Sequence, residues 1–268
     1  MKSFFLNALR SLGLTPSGNQ TDDAEEGHAA LAQKDYALAL KKFKRAAKKG
    51  DAAAQIQVGD LFREGIGAKK NLVKAVHWYR LAALQGNVTA QFTLGVIYNN
   101  GEGIMQDFID AVHWYQLAAL QGNANAQSNL GLMYEKGQGV LQDNTEALNW
   151  YRRAADQGHV VAQFNMGLMH EKGESVTQNF AEALKWYRLA ALQGHREAQG
   201  NLGVMYAKGE GVAQDYKSAH MWFNIAAAAG DSVATQNRDA MGKNMDAQQI
   251  SDAQKMARDW QAGRLLPR

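Results

Sequence analysis

Residues 126–158 read "AQSNLGLMYEKGQGVLQDNTEALNWYRRAADQG". The middle of this stretch has the ingredients of a phosphate cradle: Gly137 and Gly139 two apart, Lys136 beside them and Asp143 nearby. The rest of the chain supplies the control. "AQIQVGDLFREGIG", "AQFTLGVIYNNGEG", "AQFNMGLMHEKGES" and "AQGNLGVMYAKGEG" start at Ala54, Ala90, Ala162 and Ala198, so with Ala126 the spacing is 36 residues without an insertion. The second half repeats as strictly, in "AVHWYRLAALQG", "AVHWYQLAALQG", "ALNWYRRAADQG", "ALKWYRLAALQG" and "AHMWFNIAAAAG". A register held over five copies defines a tandem repeat, and a period of this size marks an array of stacked units. A phosphate cradle needs a strand before the loop and a helix opening at it. Here the loop follows a helical pattern, lacks the Gly-Lys-Ser/Thr ending, and recurs at Gly65-Gly67, Gly101-Gly103 and Gly209-Gly211. It reads as a structural turn.

Each unit reads as two helices, so the predicted fold is all-α, a solenoid of helix-turn-helix hairpins. In the first helix Ala126, Leu130 and Tyr134 follow i, i+4, i+8 spacing, which builds an apolar stripe; Gly137 then closes it in a left-handed conformation. In the second, Ala147, Trp150, Tyr151, Ala154 and Ala155 make a broad apolar face and Gly158 ends it. Asp107, Asp143, Asn179 and Asp215, each preceded by Gln, suit an N-cap. Glycines inside the first helix (Gly59, Gly95, Gly131, Gly167, Gly203) each cost about 1 kcal/mol against alanine. The aromatic pair of a unit buries roughly 300 Å², worth several kcal/mol as an upper estimate. The second term wins, which predicts that these glycines are points of close helix approach.

No unit covers its own apolar face, so stability requires stacked neighbours and adapted ends. Three segments follow: residues 1–23, an amphipathic segment and linker; 24–242, the array with a shortened first and a degenerate last unit; 243–268, a capping helix and tail. Upstream, Phe43 matches Tyr79 and Gly50 matches Gly86. Downstream, Asp231 to Gly242 keeps only traces of a first helix, and Asp246 with Gln249 predicts a capping box. Ile250, Ala253, Met256, Ala257 and Trp260 give that last helix an apolar face.

The chain of 268 residues is 46% apolar with a formal net charge of +3, which describes a globular protein and is too small a charge by itself to argue for nucleic acid, so none is expected as partner. Cysteine is absent, excluding a disulfide framework, a thiolate metal site and a cysteine nucleophile. No apolar run approaches the ~20 residues that span a bilayer. At the start, Asn7 and Arg10 interrupt the apolar run a signal peptide needs. Phe4, Phe5, Ala8, Leu9 and Leu12 instead share one helical face, the pattern of a segment that docks on a partner or membrane surface. A degenerate export signal is the competing reading, and a cytoplasmic location is the expectation.

The frame "AQxxLGxxYxxGxGVxQDxxxAxxWYxxAAxQG" resembles the Sel-one-like repeat family, relatives of the tetratricopeptide repeat, over about residues 25 to 242. The resemblance implies a right-handed superhelix whose first helices line the concave side. It also implies an adaptor role in protein complexes, in bacterial signalling, envelope or host-interaction settings. It says almost nothing about chemistry.

The residues argue against an enzyme. The histidines (His28, His77, His113, His159, His170, His195, His220) show no HExxH spacing, so neither metal nor cofactor is expected. His170 replaces the tyrosine of neighbouring units and reads as a packing variant. No serine has a lysine three residues on, which weighs against a cell-wall-related hydrolase, the enzymatic alternative.

The binding surface is the more productive question. Asn129, Met133 and Lys136 are spaced to share one face off the Leu130–Tyr134 stripe, as are Asn165, Met169, Lys172 and Asn201, Met205, Lys208. Stacking predicts three parallel rows: asparagines for a peptide backbone, methionines for apolar side chains, lysines for carboxylates. The competing reading makes the methionines gap fillers and the asparagines part of the repeat frame. A basic helix carries Lys41, Lys42, Lys44, Arg45, Lys48 and Lys49, suited to an acidic partner or anionic lipid, or simply to solvent. The expected function is a non-enzymatic scaffold that binds a protein or peptide segment, with acidic stretches, on the concave face. The alternative is a membrane-surface organiser using the N-terminal segment and the basic helix.

Overall fold

A computed structural model describes residues 22–263; the amphipathic segment expected at Phe4 to Leu12 lies outside them. Every regular element among the described residues is helical. α1 (Asp22–Ala32) and α2 (Tyr36–Lys48) form the first hairpin, α3 (Ala52–Glu64) and α4 (Leu72–Leu84) the second, α5 (Val88–Asn100) and α6 (Phe108–Leu120) the third. α7 (Ala124–Lys136), α8 (Asn144–Asp156), α9 (Val160–Lys172), α10 (Phe180–Leu192), α11 (Arg196–Lys208) and α12 (Tyr216–Ala228) continue the alternation. α13 (Ser232–Gly242) and α14 (Ala247–Gln261) end it. These helices fall into two compact units divided between Gln142 and Asp143, with α1–α7 in the first and α8–α14 in the second.

The helix boundaries follow from the punctuation. Asp107 Oδ1 accepts from the backbone N–H groups of Ile109 and Asp110 at 2.9 and 3.0 Å, relieving donors that a helix start leaves unpaired. Asp143, Asn179 and Asp215 cap their helices in the same way. Gly137 closes α7 at φ 64, a left-handed conformation that costs a residue with a Cβ about 1–2 kcal/mol. α1 begins at Asp22, inside the stretch read as linker, with Asp22, Asp23 and Glu25 in its first turn, where the positive helix end favours carboxylates.

The helical glycines are contact points. In the first unit a Cβ on Gly95 would sit 2.4 Å from Tyr115 Cδ1, and one on Gly59 2.6 Å from Tyr79 Cε1. In the second unit Gly167 meets Tyr187 and Gly203 meets Phe223 at 2.5 Å. Each of these four hairpins is therefore locked by a ring lying on a bare stretch of backbone.

A second device joins hairpin to hairpin. The Gln of each "AQ" pair is buried, and its amide donates to a carbonyl at the end of the preceding second helix. Gln91 Nε2 lies 3.1 Å from Ala83 O, and Gln163 Nε2 lies 3.2 Å from Ala155 O. The Gln of "QG" one unit later donates back: Gln121 Nε2 to Gln91 Oε1 at 2.7 Å, Gln193 Nε2 to Gln163 Oε1 at 2.8 Å. Buried polar groups are tolerated because the chain of bonds satisfies them.

At the C-terminal end, Asp246 and Gln249 make the predicted capping box, and Trp260 packs edge-on against Trp222 with centroids 5.7 Å apart. One expectation is corrected. Asp231 to Gly242, read as traces of a helix, forms an eleven-residue helix. Its Asp231 cap accepts from Ala234 N at 2.9 Å and Ala234 is buried, so a cap and one anchoring alanine hold what the degenerate frame obscured.

Candidate functional site

The predicted methionine row is overturned. Met133, Met169 and Met205 are 2, 3 and 1% exposed and belong to the core. A first helix in this fold packs against the second helices on both sides of it, α3 against α2 and α4 for example. Its buried face is therefore wider than one stripe and takes in the position three residues after Leu130.

The asparagines are half-buried and partly engaged. Burial pushes the Tyr115 hydroxyl up to about 12, opposed by a hydrogen bond from the Asn129 side chain. The Tyr187 hydroxyl donates to Glu171 Oε2 and is bonded by Asn201; burial and the Glu171 carboxylate raise its pKa. These asparagines thus brace the hairpin-locking tyrosine as well as edging the surface. Asn165 is likewise half-buried. Lys136, Lys172 and Lys208 are exposed, with Lys172 and Lys208 each 3.5 Å from a glutamate, Glu174 and Glu210.

The basic helix is smaller than its sequence suggests. Lys49 lies 2.6 Å from Asp23, and Lys42 pairs with Glu26, both carboxylates belonging to α1. Lys44 lies 4.7 Å over the Phe62 ring. Its burial, and then the neighbouring Lys74 and Lys48, lower its pKa. Lys41, Arg45 and Lys48 remain as exposed cations of the patch.

The clearest recess lies in the second unit, between α11 and α13. A cavity of about 390 Å³ is lined by Arg196, Gly200, Asn201 and Val204 on one side and Val233 and Asn237 on the other. It runs on, past Val204 and Asn237, into a hollow of about 270 Å³ reaching Lys208 and Asn244. Its origin is a single residue. Gly200 stands where Ile56, Phe92, Ser128 and Phe164 stand in the other repeats. Phe164 fills its own place by stacking on His195, the residue that caps the next first helix, with centroids 4.4 Å apart and planes at 21°. At Gly200 the corresponding cap is Asp231, and a Cβ would meet only Asp231 Oδ2 at 3.4 Å. Gly200 leaves the recess open where two other repeats place a ring. The sequence signal was the lone "AQGN" among "AQIQ", "AQFT", "AQSN" and "AQFN", which repeat-by-repeat comparison at that position would have found.

Chemically the recess offers the apolar Val204 and Val233, the amides of Asn201 and Asn237, the carboxylates of Glu197 and Asp231, and a cation toward each end. Arg196 is 3.0 Å from Glu197. The four histidines of this unit serve structure. His159 and His195 are N-caps whose Nδ1 accepts from Ala162 N at 3.2 Å and Ala198 N at 3.3 Å. His170 and His220 are buried. Burial lowers the pKa of all four. Among the described residues no group of three or more His, Asp or Glu side chains converges as a metal site requires, and no helix is long and apolar enough to cross a membrane.

The Sel1 repeat matches this chain at residues 25–51, 52–87, 88–123, 124–159, 160–195 and 196–231. No curated protein matches this chain. Among solved structures, a protective antigen of uropathogenic Escherichia coli with an SLR fold is 31% identical over 97% of this chain, with a TM-score of 0.81. This chain spans 56% of that protein's length. A Sel1 repeat protein from Oxalobacter formigenes is 32% identical, covering 89% of this chain and 97% of its own, with a TM-score of 0.74. With six tandem copies and these two relatives, the chain belongs to the Sel1 repeat family, whose members generally serve as protein–protein interaction scaffolds.

Proposed function

We propose that this protein is a non-enzymatic adaptor that holds an extended segment of a partner protein on the first-helix face of its second unit. The partner's bulky apolar side chain, aromatic by shape, occupies the recess at Gly200. Asn237 bonds its backbone, with Asn201 at the edge, and acidic residues beside it meet Arg196 or Lys208. The observation that carries the reading is the recess itself, a hollow of about 390 Å³ beside the position where two of the fold's other copies supply Phe92 and Phe164. A preformed hollow binds without the cost of ordering its own walls.

The test is Gly200→Phe, which gives this repeat the ring two of its siblings carry. A Cβ at Gly200 meets only Asp231 Oδ2, at 3.4 Å, and the cavity adjoins it, so the fold is expected to persist, as circular dichroism would check. Affinity purification with mass spectrometry, run in parallel on the two proteins, is expected to show a partner recovered with the parent and lost with the variant. A partner recovered equally by both removes the recess as the site. This variant is sharper than Asn129, Asn165 and Asn201 to Ala, since Asn129 and Asn201 also brace Tyr115 and Tyr187.

A further inference from the structure

Unit 1 carries a second surface, independent of the recess. Three of its turns, those following α3, α5 and α7, lie on the first turn of the second helix in the preceding hairpin. A Cβ on Gly67 would sit 2.2 Å from Tyr36 O, one on Gly103 2.4 Å from Leu72 Cβ, and one on Gly139 2.2 Å from Phe108 O. Only glycine permits that approach, and it brings loop tips beside helix starts along one edge. Side-chain bonds hold the tips: Gln106 Nε2 donates to Asn99 O at 2.6 Å and Gln142 Nε2 to Glu135 O at 2.8 Å.

What this edge displays is apolar. Met105 and Leu141 at the tips are 89 and 92% exposed, and Val73 and Ile109 on the adjoining helix starts are 66 and 71% exposed. Tyr36 and Leu38 extend the row. Six of the twelve large apolar side chains exposed among the described residues therefore stand on this one edge. Nothing in the fold demands them. In the second unit the positions equivalent to Met105 and Leu141 hold Thr177 and Ala213, and those equivalent to Val73 and Ile109 hold Thr145, Ala181 and Lys217.

The neighbourhood names the occupant. Lys69 and Lys70 share the first of these turns, and Lys74 lies one residue beyond Val73. Asp35, Asp107 and Asp143, each within two residues of the row in sequence, are occupied as helix caps, and Asp110, beside Ile109, bonds the Tyr98 hydroxyl. The tips protrude as aliphatic side chains, one set per repeat, with Lys69, Lys70 and Lys74 beside the first of them. They match a lipid interface, which needs no shape complement: apolar tips enter the acyl boundary while lysines reach phosphates.

We propose that this edge of the first unit is an interfacial membrane contact, with Met105, Ile109 and Leu141 entering an anionic bilayer and Lys69, Lys70 and Lys74 meeting its phosphates. The experiment is sedimentation of the full chain with phosphatidylcholine vesicles, with and without phosphatidylglycerol. The parent is expected to sediment with the anionic vesicles, less so as salt rises. The triple variant Met105→Thr, Ile109→Thr, Leu141→Thr, which borrows residues the second unit uses, is expected to bind at least about tenfold more weakly. A second variant, Lys69→Ser, Lys70→Ser, Lys74→Ser, is expected to lose the preference for the anionic lipid. A parent that stays in solution overturns the proposal and leaves the edge to a protein partner. So does a threonine variant that binds as the parent does, with binding lost instead on deletion of residues 2–14.

Discussion

At the scale of single residues, the glutamine chain shows how a polar side chain becomes structural. Gln199 is buried and donates to Ala191 O at 3.1 Å, yet its Oε1 has no partner. The reason lies thirty residues on. Gln85, Gln121 and Gln193 donate to Gln55, Gln91 and Gln163, but the corresponding position in the last copy is Ala229. Ala229 is exposed and right-handed, with φ −84, so a longer side chain fits without backbone cost. Ala229→Gln is expected to stabilise the second unit by up to about 1 kcal/mol, read as a higher denaturation midpoint. An unchanged midpoint would show that Gln199 Oε1 costs nothing as it stands. This feature was only half legible in sequence. The recurrence of both glutamines was plain, but that they bond to each other between neighbouring repeats follows from the packing of two helices thirty residues apart.

At the scale of helices, the pairing of a bare glycine with a ring sets how closely the two halves of a hairpin approach. Gly95→Ala illustrates the competition. Helix propensity favours alanine by about 1 kcal/mol, but the new Cβ would lie 2.4 Å from Tyr115 Cδ1 and 2.6 Å from Cε1. Tyr115 is buried and cannot retreat freely, and overpacking of this kind typically costs about 1–3 kcal/mol. The net expectation is destabilisation, measured by calorimetry. Gly86→Ala is the control, since no atom lies within 4 Å of its Cβ position and its penalty comes only from φ 88. Equal losses for the two would mean that contact with the ring is not what excludes alanine at Gly95. Here the sequence argument and the structure agree on the residue, and the structure adds the ring that explains it.

At the scale of the whole molecule, the two units differ in their response to acid. The first contains His28, His77 and His113, all exposed. The second contains His159 and His195, which cap helices through an unprotonated Nδ1, and the buried His170 and His220. Around His170, burial and then Arg152 oppose protonation while Glu182 favours it; around His220, burial and Arg238 oppose and Asp239 favours. All four folded pKa values lie below the ordinary 6.5. Their contribution is thus fully present above about pH 6.5 and is lost as pH falls through the folded values. Hydrogen exchange, corrected for its intrinsic pH dependence, is expected to show residues 143–263 losing protection between neutral pH and about pH 5 before residues 22–142 do. The double variant His159→Asn, His195→Asn, which restores the cap type of Asn87 and Asn123, is expected to shrink that difference. Parallel loss in both halves would contradict the assignment.

The sequence by itself determined the period, the alternation of helices, most of their caps, the left-handed closing glycines and the capped last helix. Those features depend on contacts within a few residues, and each copy repeats the same local instructions. Only the tertiary structure decided which faces were left for a partner. It buried Met133, Met169 and Met205 because a first helix is packed from two sides, and it paired Lys42 and Lys49 with the carboxylates of α1. It also opened a recess at Gly200 where a ring is missing, and set Met105 and Leu141 in solvent beside the preceding hairpin. The physical reason is common to all four. Helical periodicity places a side chain on a face of its own helix, but whether that face is covered is settled by neighbours on other helices.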